Sequence, residues 1–270
     1  MKPLAIDLYC GLGGWSEGLL AEGYDVIGFD VERHAYGEHR YPAQLVLQDV
    51  LTLHGRQFKD VALIVASPPC QEYSYMAMPW SRAKAIAVEY RSGVRDVKKL
   101  TALFDACFRI QREAIEAAGH FIPLVVENVR GAIPWVGRSR WNYGSFHLWG
   151  DVPALMPMTV KRPAFKGGDC FNDPSWPGKQ GGVRKISEAH RSKSPAKGYG
   201  VVTEDGVKQG GISGPRANGK GDRWFQDGAA THGSKSSARK AASAMIAKIP
   251  LTLSRHIARA WKPEEIDFDQ

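Results

Sequence analysis

Long apolar runs are missing from this 270-residue chain. No stretch approaches the ~18–20 residues that a bilayer-spanning helix needs. Cysteine is scarce: four residues, at positions 10, 70, 107 and 170. No two of them have the close spacing of a zinc site, and four thiols in this length make no disulfide scaffold. A reduced, cytoplasmic setting is therefore expected, and no metal is called for. The opening Met1-Lys2-Pro3-Leu4-Ala5 lacks an apolar stretch ending in a cleavage site, so the chain reads as neither a membrane protein nor a secreted one. There is no internal repeat. A G-x-G-x-x-G fingerprint is also absent, which argues against a nicotinamide dehydrogenase.

Charge is present and unevenly placed. The formal net charge is +8, yet residues 1–150 hold 16 Lys and Arg against 16 Asp and Glu, so the excess lies beyond them. Residues 161–240 hold 16 basic against 7 acidic side chains and 15 of the 29 glycines, with Phe171, Trp176, Tyr199, Trp224 and Phe225 scattered among them. A balanced, core-forming half joined to a basic, glycine-rich half suits a catalytic domain with a polyanion-binding surface. A solvated surface insertion has the same composition.

The N-terminal half alternates short apolar strands with helical patterns. Strands are expected at 3–9, 24–30, 45–49, 61–66 and 121–126, with helices at 15–22 and 103–118. This is an α/β pattern with a mostly parallel, doubly wound sheet. In such sheets, ligands collect beyond the carboxyl ends of the strands. Those ends here carry Gly11–Gly14, Asp30, Asp49, Cys70 and Glu127, so five chemically useful positions fall on one edge.

Each position has a physical reason. The glycines let backbone approach a ligand just before a helix N-terminus. Asp30, at the end of the second strand, is where nucleoside-binding α/β folds present a carboxylate to ribose hydroxyls. Asp49 could accept from an adenine amino group, and a helix or turn cap would use the same residue type. Two prolines in Ser67-Pro68-Pro69-Cys70-Gln71 stiffen a loop that presents a thiol. Basic residues in an expected loop over 82–99 would favour its thiolate. Glu127 adds a carboxyl group at the end of the next strand.

Asp7-Leu-Tyr-Cys-Gly-Leu-Gly-Gly-Trp-Ser16, Pro68-Pro-Cys-Gln71 with Ser74, and Glu127-Asn-Val129 together resemble the DNA cytosine-5 methyltransferases. Three motifs in register cover about half the chain. The resemblance implies a Rossmann-like, S-adenosylmethionine-dependent fold acting on double-stranded DNA. By it, Cys70 adds to C6 of a flipped-out cytosine, Glu127 holds N3 protonated, and Asn128 positions the Pro-Cys loop. The cofactor set it implies is Asp7, Tyr9, Gly11, Leu12, Gly13, Gly14, Asp30, Val31, Asp49, Val50 and Pro69. Tyr9 stacks on the adenine, Gly11 and Gly14 line the methionine side, and Asp49 with Val50 touches the adenine. Gln71, Ser74, Arg138 and Arg140 are the implied DNA contacts. The stretch 75–99 matches the mobile loop that closes over the flipped base.

The same resemblance divides the chain into a catalytic domain at 1–159, a target-recognition region at 160–242, a C-terminal helix at 243–262 and a tail at 263–270. It implies a monomer working at the nucleoid, with a cognate restriction endonuclease as an optional partner. Three features depart from the family pattern. Arg138 follows Val129 by only 9 residues, Ala247-Lys248 stands where the family keeps Gly-Asn, and the chain is short. RNA in place of DNA, an exocyclic-amino methyltransferase and an idle DNA-binding scaffold are the competing readings. Cys70 and Glu127 argue against the last two.

Overall fold

The computed structural model describes residues 2–69, 80–144, 146–156, 201–202, 208–209, 240, 244–245 and 247–263. Contacts divide the chain into two units, one of 1–156 with 202–207 and 244–270, the other of 157–201 with 208–243. The first unit is built on a seven-stranded sheet. Its strands are β1 (Leu4–Leu8), β2 (Asp25–Asp30), β5 (Gln44–Leu47), β6 (Leu63–Ala66), β7 (Leu124–Asn128), β8 (Trp141–Tyr143) and β9 (Phe146–Gly150). A small separate hairpin, β3 (Ala35–Tyr36) with β4 (His39–Arg40), lies between β2 and β5 in the chain.

The sheet order is β5-β2-β1-β6-β7-β9-β8. β5, β2, β1, β6 and β7 run parallel, and β9 is antiparallel to both β7 and β8. β1 and β6 are fully apolar or nearly so because the central strands of a parallel sheet are covered on both faces. The chain winds outward from β1 to β5, then crosses back to β6. The switch point therefore lies between β1 and β6, where such folds place a ligand crevice. The expected α/β class and mostly parallel sheet are what the structure has.

One face of the sheet is covered by α3 (Val97–Ala118), which presents Leu100, Phe104, Cys107, Ile110 and Ala114 as a buried stripe. Asp96 caps its start by accepting from the Lys98 amide, and Gly119 ends it at φ 73°. The helix thus begins six residues before the expected Leu103. The expected loop over 82–99 is mostly helix as well: α2 spans Trp80–Arg91. Ile86 and Tyr90 lie at helical spacing and pack on the core, with Ala87 buried between them in sequence, and the Tyr90 ring meets Trp135 edge-on at 5.4 Å. Apolar periodicity inside a basic stretch, rather than its charge, decided the local structure.

The opposite face is covered by α1 (Gly14–Ala21) and α5 (Leu251–Ala260). A continuous helix over 244–260 is not formed. Pro250 caps α5, as expected where a proline ring blocks the preceding turn. α5 buries Leu253, Ser254, Ile257 and Ala258. Tyr24 Oη donates to the Ala258 carbonyl, and Glu22 pairs with both Arg255 and Arg259. Between Asn128 and β8 there is only a 3₁₀ turn (Arg130–Ala132) and the single-turn helix α4 (Ile133–Val136). The sequence pattern does not foretell the β8–β9 hairpin, whose strands are short and rich in aromatics.

Asp7, on β1, is fully buried. Ser16 Oγ donates to its Oδ2 at 2.6 Å and lies 2.6 Å from Tyr41 Oη, while Oδ1 has no partner. Burial pushes the Asp7 carboxyl up to about 8, and the nearby Asp30 charge adds to the shift. In the unfolded chain the group ionises near pH 4. Between that pH and about 8 the fold holds an extra proton, so stability falls as pH rises through this window. Asp7→Asn should flatten that fall, read as urea midpoints at pH 5 and 8. An undiminished slope in the variant would place the proton elsewhere.

The α1–α5 contact makes a second prediction. A methyl group at Gly18 would overlap Ser254 and the Arg255 backbone. Gly18→Ala gains ~1 kcal/mol of helix propensity, but overpacking a tight contact costs ~1–3 kcal/mol. A lower melting temperature is expected; an unchanged or higher one would mean α5 moves aside freely.

Candidate active site at the carboxyl edge of the sheet

The edge is shaped by the turn that leaves β1. Tyr9 has φ 57°, Gly11 φ 50° and Gly13 φ 79°. A left-handed tyrosine is costly, on the order of 1–3 kcal/mol, and such strain clusters at functional sites. The Tyr9 hydroxyl donates to the Leu103 carbonyl at 2.9 Å, which holds the ring against α3. The loop's glycines differ in purpose. A side chain at Gly13 would strike Pro42, and one at Gly14 would strike the Ile249 backbone. A side chain at Gly11 would meet nothing within 4 Å, so Gly11 borders open space. Leu12 is buried beside it.

Asp30 ends β2 directly opposite this loop. Its Oδ2 accepts from Gly11 N at 3.0 Å and its Oδ1 from Glu32 N at 3.2 Å. Burial alone would raise its pKa, but His34 and these two backbone N–H groups outweigh it and hold the carboxyl below the ordinary value. Asp30 is thus an ionised, oriented acceptor at the carboxyl end of β2, beside the loop that leaves β1. Val31 follows it, 70% exposed. Asp49 lies beyond β5 and caps a 3₁₀ turn (Val50–Thr52), its Oδ1 accepting from Leu51 N at 2.9 Å. Val50 is buried there.

The loop after β6 is held from two sides. Trp15 Nε1 donates to Ser67 Oγ at 3.0 Å, and Asn128 Nδ2 donates to the Pro68 carbonyl at 3.0 Å. Asn128 Oδ1 meanwhile accepts from Val129 N, so both ends of the amide are used. Glu127 is buried next to it on β7, in register with Leu148 of β9. Pro69 is exposed at the end of the described loop. Cys70, Gln71 and Ser74 lie outside the described residues, as does all but a few positions of 160–242. The two described cysteines, Cys10 and Cys107, are buried, and burial pushes both thiols up, which makes them poor nucleophiles.

Gly11, Asp30, Pro68, Glu127 and Asn128 therefore converge on one edge, as their strand ends predict. Arg138 and Arg140 do not join them through the described strands. Both are exposed, and β8, which follows them, is separated from β7 by β9. Arg140 contributes a backbone bond from its N–H to the Leu148 carbonyl. Other residues enter the site without having been given a role from the sequence: Trp15, Ser16 and Ser67, which stand in the motifs, and Tyr41 and His34, which do not. Their partners, apart from that of His34, are distant in the chain.

The edge fits an adenosyl cofactor. Open space over Gly11, the oriented Asp30 carboxylate and the partnerless buried oxygen of Asp7 are the features a polar ligand with ribose hydroxyls would use. Lys248, which with Ala247 stands where the family keeps Gly-Asn, pairs with Glu17.

Residues 4–113 match the family model described as C-5 cytosine-specific DNA methylase. Members of that family use S-adenosylmethionine. Nothing among curated proteins matches the chain. Among solved structures, the chain is similar to a protein assigned as a DNA modification methyltransferase of an E. coli prophage, with 24% identity and a TM-score of 0.32 over 49% of this chain and 33% of that one. It is also similar to the Entamoeba histolytica methyltransferase EhMeth, with 17% identity and a TM-score of 0.33 over 51% of this chain and 41% of that one. The Dnmt2 methyltransferase of S. pombe is 13% identical, with a TM-score of 0.43, over 96% of this chain and 98% of that one. The chain thus spans a third to two fifths of the length of the first two. At these identities and TM-scores the likeness transfers no residue role. The match to that family model runs from β1 into α3.

Proposed function

We propose that the protein is a DNA cytosine-5 methyltransferase, with the active site at the carboxyl edge of β1, β2, β6 and β7. The observation that carries this reading is the Asn128 amide bonded to the Pro68 carbonyl, beside the buried Glu127. It ties the loop that leads into Cys70 to the strand that carries the acid. Two groups meant to act on one ring must be held in a fixed relation, and a buried amide with both ends bonded does this with little freedom.

S-adenosylmethionine, when bound, supplies an electrophilic methyl group. Asp30 accepts from the ribose hydroxyls, Asp49 from the adenine amino group, and Tyr9 and Val31 flank the adenine. The Gly11 loop borders the methionine part. On the base, the Cys70 thiolate adds to C6, and Glu127 keeps N3 protonated so that electron density reaches C5. Once C5 carries the methyl group, a base takes the C5 proton. The thiolate then leaves C6 and the ring double bond returns. A stacked cytosine exposes neither C6 nor N3 properly, so the base is flipped from the duplex.

Residues 1–159 form the catalytic domain in this reading, and 160–242 the target-recognition region. The 16 to 7 basic excess of 161–240 supports contact with phosphates. Gln71 and Ser74 contact the DNA, and Arg138 and Arg140 reach its phosphates. The protein works as a monomer on cytoplasmic DNA, with or without a partner endonuclease.

Nucleoside mass spectrometry tests this directly, on DNA from an expression host without cytosine methylation of its own. Wild type should yield 5-methylcytosine and Cys70→Ala none, while both bind S-adenosylhomocysteine equally. A modified base made by Cys70→Ala would remove the covalent mechanism. Modified cytosine found in RNA alone would move the substrate to RNA. Asn128→Ala should slow turnover by about tenfold or more, since a charge-free buried bond is worth ~1 kcal/mol and its loss also frees the loop. Its cofactor affinity should stay at the wild-type value; a fall in affinity alone would make Asn128 a cofactor-site residue.

A further inference from the structure

In most doubly wound folds a helix carries the chain from one parallel strand to the next. Between β2 and β5 this protein instead has residues 31–43, which contain the β3–β4 hairpin and no helix. This segment returns to the edge at two places. At its far end, Tyr41 reaches Ser16 and covers Gly28 of β2, where a side chain would overlap the Tyr41 ring. At its near end it places His34 against Asp30. His34 Nε2 lies 3.7 Å from Asp30 Oδ1, with the two side chains 23% and 12% exposed. On the other side of the imidazole, Nδ1 lies 3.3 Å from Tyr36 Oη, on β3.

Both contacts are satisfied with an N–H on Nε2 facing the Asp30 carboxylate: in the neutral ring Nδ1 accepts from Tyr36 Oη–H, and in the imidazolium Nδ1–H donates to Tyr36 Oη. Asp30 then has three partners from two parts of the chain: Gly11 N from the loop after β1, and Glu32 N and His34 Nε2 from the segment after β2. Its carboxylate plane cannot turn without losing at least one of them. A ribose diol is recognised by a carboxylate whose two oxygens face two hydroxyls together, so a fixed plane is what recognition requires.

We propose that His34, held by Tyr36, is a positioning residue for the cofactor: it sets the orientation of Asp30 toward the ribose hydroxyls. The hairpin thereby does for the cofactor wall what a crossover helix does elsewhere, and ties it to two side chains. The inference rests on the proposed cofactor site, in which Asp30 receives the ribose.

Calorimetry with the full-length protein separates the two. The probes are S-adenosylhomocysteine and its 2′-deoxyribose analogue. Wild type should bind the analogue about tenfold more weakly, and Asp30→Ala should abolish that difference. His34→Ala should weaken S-adenosylhomocysteine by about tenfold and shrink the penalty for the missing hydroxyl toward none. Tyr36→Phe should do the same more mildly, and His34→Gln, which keeps a donor, should restore part of the loss. His39→Ala, an exposed change on the same hairpin, should match wild type. If His34→Ala leaves affinity unchanged, or weakens both probes equally with the hydroxyl penalty intact, His34 does not position Asp30. If Asp30→Ala has no effect on either probe, the ribose lies elsewhere and the inference falls with the reading beneath it.

Discussion

The chain must turn sharply as it leaves β1, and everything at the functional edge depends on how it does so. Tyr9, Gly11 and Gly13 all take left-handed conformations within five residues. Two glycines adopt this geometry at little steric cost, whereas the tyrosine does not. The strain is held by bonds that the turn itself makes possible: Tyr9 to Leu103 on α3, and Gly11 N–H to Asp30 on β2. The turn then launches α1, whose Trp15 reaches Ser67 beyond β6. One bend thus connects three strand ends that are up to 58 residues apart in sequence.

The same edge is braced from behind by α5. Gly14 and Gly18 bring α1 against the Ile249 and Ser254 region so closely that no side chain fits between them. Glu17 on α1 pairs with Lys248, and Glu22, which caps the end of α1, pairs with Arg255 and Arg259. These ion pairs are partly exposed and contribute modestly. The buried contact between small residues carries more of the stability, because close-packed backbones lose many dispersion contacts if they separate. Residues from the two ends of the chain therefore support one glycine loop.

Buried polar groups are few at this edge and each is placed with purpose. Asn128 uses both ends of its amide, and Asp30 accepts from several donors. Asp7 has an oxygen with no partner, and burial raises its pKa instead of leaving a bare charge. Asp7 and Asp30 are near enough to interact, yet one is pushed toward the neutral form and the other held ionised. The difference lies first in burial, which is complete for Asp7 and less so for Asp30, and then in donors: Asp30 gathers two backbone N–H groups and an imidazole, whereas Asp7 draws on Ser16 alone.

Strand ends, and the chemistry standing on them, were decided by the sequence alone. Five apolar runs broken by Gly, Pro or an acid can only form the parallel core, and their carboxyl ends must share an edge whatever the loops do. Gly11, Asp30, Pro68, Glu127 and Asn128 are legible for that reason. Tertiary structure decided what local pattern cannot encode. A basic stretch became α2 because Ile86 and Tyr90 found a core to pack on. Short β8 and β9 exist because β7 offered an open edge to pair with. The segment over 244–260 begins its final helix only at Leu251, where α1 receives it. His34 became a partner of Asp30 because a hairpin replaced a helix between β2 and β5. Periodicity reports a residue's own neighbours along the chain, whereas these outcomes depend on surfaces supplied by residues far away in it.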